Sequence, residues 1–398
     1  MLVELHILQN FAPANLNRDD TGAPKDCVFG GYRRARISSQ CIKRSIRDAF
    51  KAQELLPEAN RAVRTARLIE KLVTVLAAKG HPADQARAVA ETALKGMGLA
   101  VETTGLTQYL LFLGNAEVAA LAEVCDAYWE ALSGIAAEAA APGAKPARGT
   151  SKEAKKAGKE AVPAEIRKAF QDILDGGKAA DVALFGRMVA DRPEFEVDAS
   201  CQVAHAISTN RVSMEFDFYT AVDDLKPGDT AGADMLGTVE FNSACFYRYA
   251  NVNLGLLSQN LGGDEELARR SLEAFLRASI NAIPTGKQNS FAAQNPPSFV
   301  FAVARTSHPW SLANAFLNPV RPSNNADLMH QSVLALDDYW GRLVRMYGSR
   351  GIAGRWWDSL GDEQLVSLKD ARVDGVEKLV QSVLDTADFA HVKESVWA

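Results

Sequence analysis

A change of composition in the middle of the chain constrains its fold more than any other feature. Residues 60–180 are rich in Ala, Leu, Glu, Lys and Arg and contain few β-branched runs, which is typical of helices. Strand patterns stand on both sides of this stretch, at residues 2–9 and again after Ala180. We therefore predict several helices inserted into a core of mixed strands and helices, an α+β fold rather than regular βαβ repeats.

Two extended segments after the insertion predict a long hairpin. Residues 212–219 alternate between two sets of side chains, and residues 197–207 also have an extended pattern. Thr209-Asn210 lies between them as a turn. We place this hairpin within residues 195–225.

Other elements are marked by periodicity and by capping residues. An amphipathic helix is expected from Ser38, because a serine hydroxyl can accept a hydrogen bond from the first helical turn. Further along the chain, the patterns predict a strand at 238–254, a helix at 264–280 and a short apolar strand at 299–304.

Residues 136–164, within the helical insertion, are of low complexity, and we predict a flexible segment there. This segment contains four lysines that would share one face of a helix: Lys152, Lys155, Lys156 and Lys159. Such a row suits sequence-independent contact with nucleic-acid phosphates. A solubilising linker is the other interpretation.

Whole-chain composition excludes several classes of protein. The net charge of −5 argues against a generic basic nucleic-acid binder. The five cysteines include no C-x-x-C pair, which predicts reduced, buried thiols in a cytoplasmic protein rather than disulfides or a zinc site. No window offers the roughly 18 apolar residues of a membrane span. Glu4 and His6 interrupt the apolar N-terminal stretch, so we expect no signal peptide.

Positive charge is concentrated near the N-terminus despite the acidic total. Between residues 25 and 51 the chain has eight basic residues: Lys25, Arg33, Arg34, Arg36, Lys43, Arg44, Arg47 and Lys51. Only Asp26 and Asp48 oppose them, and we expect no acidic partner one helical turn away. The adjacent Gly30-Gly31 pair would let a backbone approach a ligand closely.

The helix predicted from Ser38 divides this charge from an apolar stripe. Ile42, Ile46, Ala49 and Phe50 share one face. The opposite face carries Gln40, Lys43, Arg44, Arg47 and Lys51. A helix N-terminus flanked by basic residues is a sound phosphate site, and a solvated helix face is the competing interpretation.

Tests for catalytic motifs give no convincing active site. Asp19-Asp20 could help to bind a metal, but local turn capping is the better interpretation. Gly286-Lys287 resembles the end of a Walker A loop and fails, because Gln288 stands where Ser or Thr is needed. Lys287 remains a candidate for a single phosphate contact. We expect no metal and no cofactor.

Several long segments, in order, resemble one family. The segment NRDDTGAPKDCVFGGYRRARISSQCIKRSIR is similar to the N-terminal signature of the CasC-type backbone subunit of the type I-E CRISPR Cascade complex, a member of the RAMP superfamily. AHAISTN, FYTAVDDL, GTVEFNSACFYRYANVNLGLLSQNLGG and PTGKQNSFAAQNP resemble later blocks of that family. The resemblance runs from residue 2 to about residue 345 and is weakest in the helical insertion and the C-terminal tail.

The resemblance implies a fold in three parts. A modified RRM-like (ferredoxin-like) palm would comprise residues 1–59 and 181–398. A helical finger would comprise residues 60–180, and a β-hairpin thumb would lie at 195–225 within the palm.

The resemblance also implies a non-catalytic role in antiviral defence, in which the subunit binds CRISPR RNA and presents it for pairing with target DNA. Copies would stack head to tail into a filament. Its other partners would be the large, small, guide-end-capping and guide-processing subunits of Cascade and a recruited helicase-nuclease, without a membrane. Two other hypotheses stay open: a metal-dependent ribonuclease related to type III backbone subunits, using Asp19 or Asp20, and a scaffold that does not contact RNA.

Site residues follow from the same resemblance, position by position. The implied RNA contacts are Arg18, Ser38, Gln40, Lys43, Arg44, Arg47, Met188, Ser208, Thr209 and Lys287. Lys152, Lys155, Lys156 and Lys159 correspond to a lysine helix that meets target DNA. Tyr32 stands where the family commonly has lysine, and an aromatic side chain there could stack instead.

Overall fold

The structure is a computed structural model, and it describes residues 1–141, 152–173, 178–188, 195–221, 235–324 and 326–389. The chain divides into two compact units. Unit 1 comprises Met1–Leu55, Cys201–Gly255 and Leu272–Ala398, and unit 2 comprises Leu56–Ser200 and Leu256–Ser271. The predicted helical insertion at 60–180 lies within the longer segment of unit 2.

Unit 1 combines strands and helices, as the α+β prediction requires. Its strands are β1 (Leu2–Ala14), β2 (Asp26–Phe29), β3 (Tyr32–Ile37), β6 (Cys201–Val203), β7 (Ala206–Ser208), β8 (Glu215–Ala221), β9 (Met235–Asn253), β10 (Phe299–Arg305) and β11 (Ile352–Ser359). Its helices are α1 (Ser39–Ala52), α11 (Gln288–Phe291), α12 (Leu328–Tyr347) and α13 (Val376–Thr386). The residues of α9 (Leu254–Asn260) and α10 (Glu265–Asn281) are divided between the two units.

The strands of unit 1 form an antiparallel sheet in the order β11-β10-β1-β9-β7-β3-β2, with β6 and β8 also paired to β9. β1 lies between β9 and β10, and His6 stands opposite Tyr249 on one side and Phe301 on the other. Every residue of β10 is buried. A strand covered on both faces has a continuous apolar sequence, which is why the pattern at 299–304 predicts this strand correctly.

Local patterns correctly predicted several elements. The strand expected at 2–9 is β1, the helix after Ser38 is α1, and the helix expected at 264–280 is α10. The aromatic-rich pattern at 238–254 is β9, which begins three residues earlier. All of these have a periodicity that matches the burial of one face or of both.

The predicted partner of the thumb strand was wrong. β8 pairs with the first part of β9, from Glu215 opposite Phe241 to Ala221 opposite Met235, and not with residues 197–207. β7, within that earlier segment, pairs instead with β3 and with a later part of β9. The prediction failed because turn rules favour loops of 2–5 residues between paired strands. β8 and β9 are separated along the sequence by the 13 residues 222–234, which lie outside the described residues.

Unit 2 is mainly helical. Its helices are α2 (Leu68–Ala78), α3 (Ala83–Gly96), α4 (Asn115–Ala127), α5 (Trp129–Ala140), α6 (Lys152–Ala161), α7 (Ala164–Ile173) and α8 (Ala180–Phe185). One pair of short strands, β4 (Ala62–Thr65) and β5 (Leu111–Gly114), was not predicted from the sequence. The core is built from the apolar faces of these helices, with Leu72, Ala90, Leu121 and Phe170 fully buried.

The predicted flexible segment at 136–164 includes the end of α5, the whole of α6 and the first residue of α7. Residues 136–140 belong to α5 and residues 152–161 form α6. Residues 142–151 lie outside the described residues. Gly158 of α6 approaches Lys95 of α3 closely, because a Cβ at Gly158 would lie 3.2 Å from the Lys95 Cβ.

The five cysteines are free thiols. Cys125, Cys201 and Cys245 are buried, as predicted, whereas Cys27 and Cys41 are half-buried. Within the described ranges, no helix combines the length and apolar character needed to cross a membrane.

Candidate nucleic-acid interface

Helix α1 begins where the sequence predicted and separates apolar from basic side chains. The Ser38 hydroxyl accepts a hydrogen bond from the Cys41 N–H at 3.3 Å and so caps the helix. Ile42, Ile46, Ala49 and Phe50 are buried, as expected for the apolar stripe. Gln40 and Arg44 are exposed, and Lys43 and Arg47 are half-buried. The predicted basic face is therefore accessible to a ligand.

One expectation about this helix was wrong. Asp48 lies four residues after Arg44, and the Arg44 Nε–Asp48 Oδ2 distance is 3.7 Å. Both side chains are largely exposed, so this pair contributes little to stability. A phosphate could therefore displace Asp48 from Arg44 at small cost.

Two asparagines tie the loop at residues 15–25 to its surroundings. The Ser38 N–H donates to Asn17 Oδ1 at 2.8 Å, which joins the loop to the start of α1. Asn15 Nδ2 donates to the carbonyls of Gly22, at 3.0 Å, and Glu240, at 2.9 Å. Glu240 belongs to the β8–β9 hairpin, so the loop, the basic helix and the base of the hairpin are fastened together.

Asp19 folds the loop on which it lies. Its Oδ1 accepts hydrogen bonds from the Thr21 hydroxyl at 2.7 Å, the Thr21 N–H at 2.9 Å and the Ala23 N–H at 3.0 Å. The Thr21 hydroxyl, followed by these backbone groups, lowers the pKa of the Asp19 carboxyl below its usual value. The turn-capping interpretation of Asp19 is confirmed. Among the described residues, no group of three or more His, Cys, Asp or Glu side chains could hold a metal ion.

An open depression of about 560 Å³ lies between this loop, α1 and the backbone at Thr285-Gly286. Arg18 and Arg44 line it, together with Asp19, Asp20 and Asp48. Gly286 is needed there, because a Cβ would collide with the carbonyl of Leu16. Lys287 follows directly with a left-handed backbone (φ 51°); it is half-buried and is not among the residues that line the depression.

Lys25 and Arg36 form a second group of cations, near His205. An Arg36 Nη1–H donates to His205 Nδ1 at 3.1 Å, and Arg36 Nε donates to the carbonyl of Asp26. Desolvation lowers the pKa of His205, and the charges of Arg36 and Lys25 lower it further. Burial raises the pKa of the Cys41 thiol, and Lys25 and Arg44 oppose that rise. These couplings place Lys25 within electrostatic reach of both His205 and Cys41.

Ser208 and Thr209 are buried. The Ala35 N–H donates to the Ser208 hydroxyl at 3.0 Å, and that hydroxyl donates to the Asn210 carbonyl at 2.6 Å. The Thr209 and Ser332 hydroxyls lie 2.9 Å apart. Both predicted side chains therefore bond within the protein, at the segment that enters the hairpin.

The β8–β9 hairpin carries exposed aromatic side chains that the residue-by-residue prediction missed. Phe216 and Phe218 are each about two-thirds exposed, and Tyr219 is also exposed. The signal was present in the sequence as aromatics alternating with Glu215 and Asp217. Because that alternation is also typical of a half-buried strand, it did not indicate exposure.

Unit 2 contains the remaining predicted residues. The Met188 side chain is 81% exposed. Lys156 and Lys159 lie on α6, where Lys156 Nζ is 3.8 Å from Glu160 Oε1. Lys152 and Lys155 belong to the same helix, and their side chains lie outside the described part of the chain. All four lysines thus belong to a helix, which their spacing requires if they are to share one face.

The sequence and the fold of the chain match those of known proteins. A model of the CT1975-like protein family of Cas proteins matches residues 3–385, so the chain belongs to that family. No curated protein matches the chain.

Two solved structures are similar over almost the whole chain. One is a chain described as "CRISPR RNA-guided surveillance complex, pre-nicking", with a TM-score of 0.82 and 31% identity, covering 98% of this chain and 100% of that chain. The other is a chain described as "CRISPR RNA-guided surveillance complex", with a TM-score of 0.72 and 28% identity, covering 97% and 100%. With the family match, these make the chain a Cas backbone-type protein, and they do not favour the metal-dependent ribonuclease hypothesis.

Proposed function

We propose that the chain is a non-catalytic backbone subunit that binds CRISPR RNA in a type I-E Cascade complex. Copies would assemble head to tail along the guide and present it for pairing with target DNA in antiviral defence. The observation that carries this proposal is the surface around the start of α1. There Ser38 caps the helix, Arg18 and Arg44 line an open depression, and Lys25 and Arg36 lie near His205. The loop of the depression is hydrogen-bonded to a hairpin with exposed aromatic side chains.

The chemistry of this surface suits RNA backbone binding. Free N–H groups at a helix start and nearby guanidinium groups favour phosphate. Exposed aromatic side chains offer stacking faces to unpaired bases, and these faces tolerate any sequence. Sequence would then be read by base pairing between guide and target, as in RNA-guided recognition generally. A modified RRM-like palm, comprising the sheet of unit 1 and α1, is part of the proposal.

Partners follow from the similarity to chains of surveillance complexes. We propose that further copies of this chain, the large, small, guide-end-capping and guide-processing subunits, and a recruited helicase-nuclease act with it in the cytoplasm. Lys156 and Lys159 on α6 are the proposed contacts to target DNA, together with Lys152 and Lys155. Met188, the most exposed of the large apolar side chains in the described residues, is proposed to contact the guide.

The salt dependence of RNA binding tests the proposed surface. Each phosphate contact contributes about 0.7 to the slope of log affinity against log salt for a single strand. Arg18→Ala combined with Arg44→Ala should therefore reduce that slope by about 1.4 and weaken binding. The matched control is Arg342→Ala with Arg345→Ala on α12, which removes two exposed arginines that do not line the depression. An unchanged slope in the first variant would contradict the assignment.

Catalysis is tested separately with Asp20→Ala. Asp20 is exposed and lines the depression, so its removal should leave RNA binding intact or strengthen it by removing a repelling charge. Complex incubated with guide-complementary RNA and magnesium should leave that RNA whole. Regularly spaced cleavage by the wild type that disappears in Asp20→Ala would establish the ribonuclease instead.

A further inference from the structure

Arg34 connects three segments of unit 1 through one side chain. It lies on β3 and is fully buried. Its Nη1 donates to the carbonyls of Ser208, at 2.9 Å, and Thr209, at 2.8 Å. Its Nη2 donates to the carbonyls of Phe316, at 2.6 Å, and Leu317, at 3.2 Å. One planar guanidinium therefore holds β3, the end of β7 and residues 316–317 together.

The charge of Arg34 has no carboxylate counterpart among the described residues. Burial lowers its pKa, and only Cys27 and Tyr32 oppose that effect electrostatically. A buried cation without an ion pair is costly, and it persists only where hydrogen bonds satisfy it. Four carbonyls on two separate segments accept hydrogen bonds from Nη1 and Nη2 here, whereas the buried Nε has no hydrogen-bond partner among the described residues. Arginine alone carries a rigid fork of donors that can bond them all, and lysine has a single ammonium group at one point.

The segments that Arg34 joins lead directly to the proposed RNA surface. β3 continues through Ser38 into α1. Ser208 and Thr209 lead into β8, the first strand of the aromatic hairpin, and the Val212 N–H donates to the Arg33 carbonyl at 3.1 Å on the way. The position of the hairpin base relative to the basic helix therefore depends on the Arg34 hydrogen bonds.

We propose that Arg34 is a positioning residue for RNA binding: it fixes the base of the aromatic hairpin against the strand that leads into the basic helix, and it does not touch the RNA. This inference rests on the proposed function. Because a buried residue neutralises no phosphate, its loss should lower affinity without changing the salt slope, whereas loss of a contacting arginine lowers both.

The test uses the full chain and a short single-stranded RNA over a range of salt concentrations. The variants are Arg34→Lys, which retains the charge and loses the fork, and Arg34→Met. Arg33→Met is the matched control, since Arg33 is the adjacent residue, is exposed and pairs with Asp26. Stoichiometric titration with RNA gives the active fraction, so that misfolded protein is not counted as weak binding.

Both Arg34 variants should bind at least about tenfold more weakly than the wild type, equivalent to about 1.4 kcal/mol. Their salt slope should be unchanged, and backbone amides of residues 215–221 should exchange hydrogen faster. Arg33→Met should keep slow exchange there. If Arg34→Met does not fold, Arg34→Lys decides the result.

Wild-type affinity in Arg34→Lys, or a slope reduced by about 0.7, would overturn the inference. Failure of the wild type itself to bind RNA would contradict the proposed function, which is a different outcome.

Discussion

Replacing Arg187 by methionine removes one half of a buried ion pair in unit 2. The Arg187 and Glu117 side chains are 1% and 2% exposed, and Arg187 Nη1 lies 3.0 and 3.1 Å from the two carboxylate oxygens of Glu117. Arg187 Nε also donates to the Phe195 carbonyl at 2.8 Å. After the change, Glu117 would keep the hydrogen bond from the Gly114 N–H at 2.6 Å, with its charge still buried.

Breaking a buried pair from one side typically costs about 3–5 kcal/mol, because a charge is left unpaired in a low dielectric. For a unit of this size, each kcal/mol lowers the melting temperature by roughly 2–4 °C. We therefore expect Arg187→Met to lower the melting temperature of unit 2 by roughly 6–20 °C. Adding Glu117→Gln should restore much of the loss, since a neutral amide avoids the charge penalty.

Hydrogen exchange over residues 111–127 measures the effect locally, because Glu117 lies in the first turn of α4 and also caps the backbone at Gly114. The control is Arg67→Met, which removes an exposed pair with Glu70 (2.7 Å) and should cost less than about 1 kcal/mol. Equal losses in Arg187→Met and Arg67→Met would refute the reasoning. No recovery on adding Glu117→Gln would show that lost packing, rather than the buried charge, causes the effect.

Two further predictions concern unit 1. Burial raises the pKa of Glu4 from 4.5 to about 7 and lowers the pKa of His6 from 6.5 to about 3. The free energy of unfolding of Glu4→Gln should therefore increase relative to that of the wild type as the pH rises from 4.5 to 7. That of His6→Gln should increase relative to that of the wild type as the pH falls below 6.5. Urea unfolding across this pH range measures both differences in the free energy of unfolding. If these differences changed with pH in the same direction for the two variants, the two pKa shifts would be contradicted. Separately, Asp337→Asn should cost about 1–3 kcal/mol and expose residues 360–368 to protease, because that carboxylate accepts three backbone N–H groups; unchanged proteolysis would refute this.

Elements with a strong local period could be predicted, and the partners of those elements could not. Ser38, followed by an apolar stripe, marks the start and the buried face of α1 without any tertiary information. The partner of β8 depends on β9, which is 19 residues long and pairs with both β8 and β1. Rules that pair strands adjacent in sequence cannot predict a long strand that pairs with two different strands.

The candidate site, too, could be predicted from the sequence only in part. Arg18 and Arg44 were predicted and do line one depression. Asn15 and Asn17, which fasten the loop, stand in a turn-rich segment where their composition indicated only a loop. Arg34 was one arginine of a basic run, and its complete burial follows from the carbonyls that surround it in the fold. Spacing along the chain separated exposed from buried residues on the amphipathic helix α1, but it did not separate the exposed Arg33 from the buried Arg34 on the short strand β3.

The acidic net charge of the chain and the proposed phosphate-binding surface are compatible, because charge acts over short distances. At physiological ionic strength, exposed charges more than about 8 Å apart are largely screened from each other. The depression itself contains the carboxylates of Asp19, Asp20 and Asp48. Asp19 is hydrogen-bonded within its own loop and Asp48 is paired with Arg44, whereas Asp20 is exposed and would repel a phosphate. Under the proposed function, a phosphate would be attracted by Arg18, Arg44 and the start of α1, and this attraction would have to exceed the repulsion from Asp20. The pKa of His205 is lowered mainly by desolvation, and the charges of Arg36 and Lys25 lower it further, so positive charge is locally concentrated there in a protein whose net charge is −5.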